Sequence, residues 1–270
     1  MDSMLAEYAG KPRSVVQPGC AVHLRVGAGP DLHAHFAIQL ALGMSHCAVL
    51  RQSLRGAEQR AAGWLVGSQQ AHWVAVEGVG VTVHFDPLSE SGRRLSGRLE
   101  GVRALTAAEC AAIRTEMEEC WARGWQSADL MGAAGRIVDL MAGPDAPRAA
   151  PDPRVRRVLA AIRGNPGENT PLADLAAMVN LSESRLAHLF RGDVGIPVRQ
   201  YRLWARMGCA LDRVTRGRSL TEAAHAAGFA DSAHFCRICR RMFGSAPSRL
   251  PELRSCQVGS RACQRSASSI

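Results

Sequence analysis

Two stretches of the sequence decide the fold: LADLAAMVNLSESRLAHLFRGDVGIP (residues 172–197) and LTEAAHAAGFADSAHFCRICRRMFGSAP (residues 220–247). They resemble each other at an offset of 48 residues, which becomes 49 after a one-residue insertion. Each stretch predicts a short helix, a tight turn and a second helix. The turns fall at Asn180 and Gly228, two residue types that tolerate the positive φ such a turn requires.

The residues around each turn suit two helices that cross closely. Ala176 and Ala224 are small at the expected crossing points, and Ser182 and Asp231 are good N-caps for the second helices. This is the arrangement of a helix-turn-helix unit, whose second helix enters the major groove of DNA. Residues 197–214 predict one long helix that would hold the two units at a fixed spacing.

The charge of the chain is divided unevenly. The 270 residues carry a formal charge of +9, but residues 1–151 sum to −1 and residues 152–270 to +10. A basic part joined to a neutral part is expected of a nucleic-acid-binding domain attached to another domain. A solubilising basic face is the alternative interpretation of the charge alone.

Composition excludes several classes of protein. Apolar residues make up 47% of the chain, which is enough for real cores and argues against disorder. No run approaches the roughly 18–20 apolar residues of a membrane span, and we see no signal peptide, so a membrane or secreted protein is not expected. The nine cysteines are scattered and odd in number, which favours a reducing cytoplasm.

The N-terminal half contains two different patterns. Residues 13–86 hold short apolar runs broken by Gly and Pro, which predict a compact all-β unit. Residues 105–142 predict two helices. Thr106 and Glu109 form a capping box for the first helix, and Ser127 is predicted to cap the second.

A proline-rich segment separates this half from the basic half. Four prolines lie between residues 143 and 153, and regular structure cannot continue through them. We therefore expect a sensor or dimerisation domain at residues 13–142, a linker at 143–151, a DNA-binding domain at 152–254 and a disordered tail at 255–270.

Many positions of the basic half match one known family pattern. They are Leu175, Ala176, Ser182, Leu186, Leu189, Phe190, Gly195, Tyr201, Arg206, Ala224, Gly228, Phe229, Asp231, Phe235, Arg237, Gly244 and Pro247. On these positions, residues 152–250 resemble the DNA-binding domain of the AraC/XylS family of transcription regulators. The chain departs from the family at Cys239, where an aromatic residue is usual, and at Leu250-Pro251, where Tyr-Arg is usual.

The resemblance implies an α+β architecture. It consists of an N-terminal cupin-like β-barrel with two flanking helices and a C-terminal all-α domain of two helix-turn-helix units joined by a long helix. The implied function is sequence-specific transcription regulation, as an activator, with double-stranded DNA, an unknown small-molecule effector and RNA polymerase as partners. A homodimer is expected, while enzymatic activity, cofactors and membrane association are not.

The resemblance also implies which side chains contact DNA. Family positions that read base edges correspond to Ser184, Ala187 and His188, and Arg185 is adjacent. Arg237 could form a bidentate contact with guanine, while the other arginines would meet phosphates. An exposed charged face without base contacts is the alternative. The outward positions of the two second helices are Ser184, Arg185, Ala187, His188, Arg191, Ala233, His234, Cys236, Arg237, Arg240 and Arg241.

A histidine pattern lies in the predicted β unit. His33, His35, Gln39 and the distant His72 resemble the metal pattern of cupins, but Gln39 occupies the position of the carboxylate. An amide is a poorer metal ligand than a carboxylate. We therefore expect these four residues to line an effector pocket, with no metal, in preference to a working metal site.

Two alternatives of other classes remain open. A cupin-type metalloenzyme with a nucleic-acid tether would use the histidine pattern. A thiol-based redox or heavy-metal sensor would use Cys236, Cys239, Cys256 and Cys263. Cys236 and Cys239 alone supply two ligands, whereas a structural zinc site needs four, so core packing is favoured for Cys239.

Overall fold

A computed structural model describes residues 13–17, 19–26, 31–97, 99–143, 150–243 and 246–247. Most of the linker, Gly244, Leu250-Pro251, Cys256, Cys263 and the predicted tail lie outside these residues. Within them, an α+β N-terminal part is followed by an all-α C-terminal part. No helix of the described chain is long and apolar enough to cross a membrane.

The N-terminal part contains two antiparallel sheets. The first has six strands in the order β1-β2-β8-β3-β6-β9, and the second has three in the order β5-β4-β7. The strands are β1 (Arg13–Gln17), β2 (Cys20–Val26), β3 (Ile38–Gly43), β4 (Ala48–Arg51), β5 (Gln59–Ala61), β6 (Gly63–Val66), β7 (Trp73–Val76), β8 (Val79–Phe85) and β9 (Val102–Ala104).

The predicted cupin-like barrel is not confirmed. A barrel requires the two edge strands of a sheet to pair with each other. In the described residues the six-stranded sheet ends at β1 and β9, which do not pair, and the small sheet ends at β5 and β7. The two sheets instead lie face to face over a small apolar layer, in which Trp64 Nε1 donates to the Ala48 carbonyl at 2.9 Å.

Both faces of the central strands are covered. Strand β8 alternates in sequence, yet six of its seven residues are buried. One face of the large sheet meets the small sheet, and the other packs against two helices through Ile113, Met117, Leu130 and Ile137. The helices of this part are α1 (Glu90–Ser96), α2 (Ala107–Ala122) and α3 (Ser127–Ala142).

The helix starts test the sequence signals directly. The capping box of Thr106 and Glu109 at the start of α2 is confirmed. The predicted cap at Ser127 is wrong by one residue, because Gln126 is the extended residue that precedes α3. The chain reaches Gln126 through Trp125, which has φ 59°, so it enters the helix one residue early.

The described residues of the C-terminal part form six helices. They are α4 (Pro153–Gly164), α5 (Leu172–Ala177), α6 (Glu183–Val194), α7 (Val198–Thr215), α8 (Leu220–Ala226) and α9 (Ser232–Phe243). The Asp152 side chain caps α4, and a Ser219–Glu222 capping box starts α8. Helices α5 and α6 form the first helix-turn-helix unit, and α8 and α9 form the second.

Each unit has its own core, and the long helix α7 belongs to both. Leu175, Leu186 and Phe190 are buried in the first core, and Ala224 and Phe235 in the second. Trp204, half-way along α7, packs against both cores. A single rigid helix therefore sets the distance between the two units.

The N-terminal part docks on the first unit. Phe36 and Leu88 are buried in the core of that unit, with the Phe36 ring edge-on to Tyr201 at 5.9 Å between ring centres. Arg163 of α4 forms an ion pair with Asp86 at 3.3 Å. The sequence predicted two domains and a linker, but it contained no signal for this contact.

Candidate nucleic-acid interface

The first candidate recognition helix, α6, presents a polar face to solvent. Its N-cap Ser182 accepts the Arg185 backbone N–H at 3.3 Å, and Leu186 and Phe190 are fully buried against the first core. The opposite side of the helix is therefore free. All five residues predicted to face DNA from α6 are exposed: Ser184, Arg185, Ala187, His188 and Arg191.

The second candidate recognition helix, α9, is fixed in the same way. The Asp231 carboxylate accepts the His234 backbone N–H at 2.6 Å, while Phe235, Ile238 and Cys239 are buried. Four of its six predicted contact residues are exposed and two are half-buried. The exposed residues are Ala233, Arg237, Arg240 and Arg241, and the half-buried ones are His234 and Cys236.

The turns that precede the two recognition helices have the positive φ values that the sequence predicts. Asn180 has φ 55° and Gly228 has φ 77°. Both values lie in the left-handed region, which lets each chain reverse direction between the two helices of its unit. The two recognition helices consequently leave their turns in a defined direction.

The exposed side chains have the chemistry of DNA recognition. The planar guanidinium of arginine matches phosphate oxygens and the O6/N7 edge of guanine, in both cases with two parallel hydrogen bonds. Arg185 and Arg191 supply this group on α6, and Arg237, Arg240 and Arg241 supply it on α9. These five residues account for a large part of the basic excess of residues 152–270.

A cleft of about 650 Å³ lies between the N-terminal part and the two units. Its walls include His35 and Gln69 on one side and Arg199, Arg202 and Trp204 of α7 on the other. The Nη2 atom of Arg202 is buried and makes no hydrogen bond within the described chain. His234 and Arg241 also line the cleft, so these two predicted DNA contacts face the N-terminal part as well.

The cysteines of α9 differ in their surroundings. Cys239 is fully buried in the second core, where burial raises the pKa of its thiol to about 12. A thiol that stays protonated is a weak nucleophile and a weak metal ligand. Cys239 therefore acts as a small apolar side chain, and the thiol-sensing alternative loses one of its four residues.

The predicted histidine pattern comes together in space. His33, His35, Gln39 and His72 are all buried, and the nitrogen ligand atoms of the three histidines lie within 4.8 Å of one another. The Gln39 Oε1 atom is 2.9 Å from His35 Nε2 and 3.0 Å from His72 Nε2. His33 and His35 lie in the segment that precedes β3, and Gln39 lies on β3 itself. An isolated β-bridge between His33 and His72 brings His72 to the same place.

Sequence reasoning missed one member of this cluster. His84 Nε2 lies 3.2 Å from the same Gln39 Oε1 atom. His84 is on β8, directly opposite Gln39 in the ladder between β3 and β8. The position of His84 within an alternating strand was visible in the sequence, but the register that places it beside Gln39 was not.

Burial keeps these imidazoles neutral. Removal from water lowers the pKa of His35. The pKa of His72 is lowered to about 3, first by burial and then by the neighbouring His35 and His33. The pKa of His84 is lowered well below its ordinary value by burial and by the surrounding histidines. A buried imidazole without an anionic partner is more stable uncharged.

The family-model comparison matches the C-terminal part. A family model described as a helix-turn-helix domain matches residues 175–252. The uncharacterized HTH-type transcriptional regulator YidL of Escherichia coli K12 is 32% identical over 96 residues, covering 35% of this chain and 32% of the relative. The Msm operon regulatory protein of Streptococcus mutans is 29% identical over 96 residues, covering 35% and 34%. The matches thus span about a third of these relatives.

Solved structures match a larger share of the chain. Apo ToxT from Vibrio cholerae, as a point variant, superposes with a TM-score of 0.57 at 11% identity, covering 85% of this chain and 96% of the other. Wild-type ToxT with a bound unsaturated fatty acid superposes with a TM-score of 0.54 at 11% identity, covering 86% and 94%. At this identity the likeness concerns the fold.

These matches agree with the geometry. The family model covers the end of α5 and the whole of α6 to α9, and α6 and α9 carry the exposed arginines. The likeness to the solved structures extends the fold to the N-terminal part. The chain therefore carries a helix-turn-helix domain of the AraC type.

Proposed function

We propose that the chain is a sequence-specific, DNA-binding transcription regulator that acts in the cytoplasm. The observation that carries the proposal is the pair of capped helices, α6 and α9, each with its apolar side buried and a basic side exposed. The two helices would enter successive major grooves on one side of the duplex. Both helices lie within residues 152–254, the DNA-binding domain that the sequence predicts.

The N-terminal part is proposed to be the sensor. A divergent cupin-like unit at residues 13–142 would receive a small-molecule effector at the buried histidines or in the adjoining cleft. His35 belongs to both places. The bound fatty acid in ToxT supports a small molecule as the effector, and Arg199 and Arg202 in the cleft wall favour an anionic one.

The docked N-terminal part gives the effector a way to act. Its contacts with the first core and with the cleft side of α9 fix one arrangement of the two units. An effector that binds this arrangement more tightly than others would shift the population of the DNA-binding form. A homodimer and contact with RNA polymerase complete the proposal as partners of an activator.

Selection of bound duplexes from a random DNA pool tests the proposal. The full chain should enrich one sequence with two half-sites, with and without an added unsaturated fatty acid as a trial effector. Enrichment of no sequence, with binding that depends on salt alone, would contradict sequence-specific recognition.

Replacing Arg237 with alanine should reduce discrimination at one operator position. Loss of a bidentate guanine contact costs about 1–3 kcal/mol, or roughly 5–150-fold in affinity for the selected operator. Binding titrations against operators mutated at each position measure this effect. Arg60→Ala is the matched control, because Arg60 is an exposed arginine of β5 whose ion pair with Glu77 is remote from α9. An equal loss in both variants would show that net charge alone matters.

A further inference from the structure

The buried histidine cluster has a chemistry that DNA binding does not use. It comprises His33, His35 and His72, whose ligand nitrogens lie within 4.8 Å of one another. His84 adjoins them, with its Nε2 atom 3.2 Å from Gln39 Oε1. His33, His35, His72 and Gln39 are buried, and His84 is half-buried beside them. Buried polar groups are costly unless their hydrogen bonds are satisfied, so an arrangement of this kind requires an explanation.

Three backbone carbonyls fix the protonation of the rings. His33 Nδ1 lies 2.7 Å from the Asp31 carbonyl oxygen, His35 Nδ1 lies 2.9 Å from that of Ala37, and His72 Nδ1 lies 2.8 Å from that of Gln70. A carbonyl oxygen can only accept, so each Nδ1 carries the ring hydrogen and donates it. Each Nε2 therefore carries a lone pair.

The lone pairs of His35 and His72 converge on the Gln39 side chain. With Nε2 unprotonated, His35 and His72 cannot donate to the Oε1 atom that lies 2.9 and 3.0 Å from them. Turning the amide over would present an NH₂ group, but its two hydrogens cannot satisfy three imidazole nitrogens once His84 is included. In either orientation at least one of these contacts is unfavourable, which is the condition that a cation at the centre would relieve.

The same anchoring is the usual support of metal-ligating histidines. Such histidines generally donate the other ring N–H to a carbonyl or carboxylate, which orients the ring and increases its basicity. The carbonyl contacts of His33, His35 and His72 therefore hold these rings in the tautomer whose Nε2 atom can ligate a metal.

We propose that His33, His35, His72 and His84 bind one divalent transition-metal ion of the Zn²⁺, Co²⁺ and Ni²⁺ class. Gln39 would rotate out of the centre, and the nitrogens would close by about 1 Å to reach the usual Zn–N distance of roughly 2.0–2.1 Å. An all-imidazole set favours these ions over Mg²⁺, Ca²⁺ and Mn²⁺, which prefer oxygen ligands.

His84 replaces the carboxylate whose absence argued against a metal. The cupin pattern uses two histidines, a carboxylate and a distant histidine, and here the amide of Gln39 occupies the carboxylate position. His84 contacts the Gln39 Oε1 atom from the neighbouring strand at 3.2 Å and would supply the fourth ligand. The sequence predicted no metal because Gln39 is a poor ligand. It does not show that His84 lies opposite Gln39 in the ladder between β3 and β8.

Metal titration of the full chain tests this proposal without DNA. After treatment with a chelator and its removal, the chain should bind one Co²⁺ per molecule by elemental analysis. It should also show the intense visible absorption of tetrahedral Co²⁺, and Zn²⁺ should remove that absorption by competition. Added Zn²⁺ should raise the Tm of the unaltered chain, a readout that needs no variant.

Four variants separate the ligands from their neighbours. His72→Ala and His84→Ala should each weaken Co²⁺ binding by at least about tenfold, whereas Gln39→Ala should retain it. His188→Ala, which removes an exposed histidine of α6, is the matched control and should leave the Co²⁺ spectrum unchanged. Absence of stoichiometric binding and of a Tm increase would overturn the proposal, as would Co²⁺ binding that survives in both His72→Ala and His84→Ala.

Discussion

Replacing Phe36 with alanine is expected to lower the free energy of unfolding by about 3–5 kcal/mol, the usual cost of removing a buried phenylalanine ring. Phe36 is 2% exposed, although it comes from the N-terminal part and lies in the core of the first helix-turn-helix unit. Its ring also meets Trp204 at 5.7 Å between ring centres. Chemical denaturation of the full chain measures the loss.

The Phe36 result also reports whether the two parts stay docked in solution. Leu54→Ala is the control, since Leu54 is 80% exposed and its truncation should change stability by less than about 0.5 kcal/mol. A Phe36→Ala effect no larger than that of Leu54→Ala would contradict the docked arrangement. Docking of the two parts is what would allow the proposed effector in the N-terminal part to influence α6 and α9.

Gly228→Ala is expected to destabilise the second unit by about 2–6 kcal/mol, from backbone strain and steric overlap of roughly 1–3 kcal/mol each. Gly228 has φ 77°, a region that alanine adopts only with strain. A Cβ atom there would also lie 2.4 Å from the carbonyl oxygen of Gly167 and 2.8 Å from its Cα atom. Because both obstacles are backbone atoms, no rotamer change relieves the overlap.

Gly217→Ala separates the two contributions. Gly217 has a similar φ of 80°, but no described atom lies within 4 Å of the added Cβ. This variant should therefore show the strain alone, about 1–2 kcal/mol. Thermal or chemical unfolding of the two variants side by side gives the difference. Equal losses would mean that the loop containing Gly167 does not approach the turn of the second unit.

Local signals in the sequence predicted the C-terminal part well. The positive φ values of Asn180 and Gly228 and the cap at Ser182 are confirmed. Each of these depends on one residue and its neighbours within a turn, so a single sequence contains the information. The error at Ser127 is of the same local kind and amounts to one residue.

Features that depend on contacts between residues far apart in the chain could not be predicted from local sequence signals. The register that pairs Gln39 with His84 joins strands 45 residues apart, and a shift of one residue would have faced His84 away. The insertion of Phe36 into the first core depends on how two domains meet across the linker. The cupin-like barrel, predicted from resemblance, is not confirmed because β1 and β9 stay unpaired edges in the described residues.

Footprinting on the selected operator tests the central claim most directly. We expect two protected major-groove segments on one face of the duplex, centred about 10–10.5 base pairs apart, one for each recognition helix. His188→Ala should weaken protection of one segment and Arg237→Ala that of the other. A single protected segment, or the same uniform loss in both variants, would contradict recognition by two helix-turn-helix units.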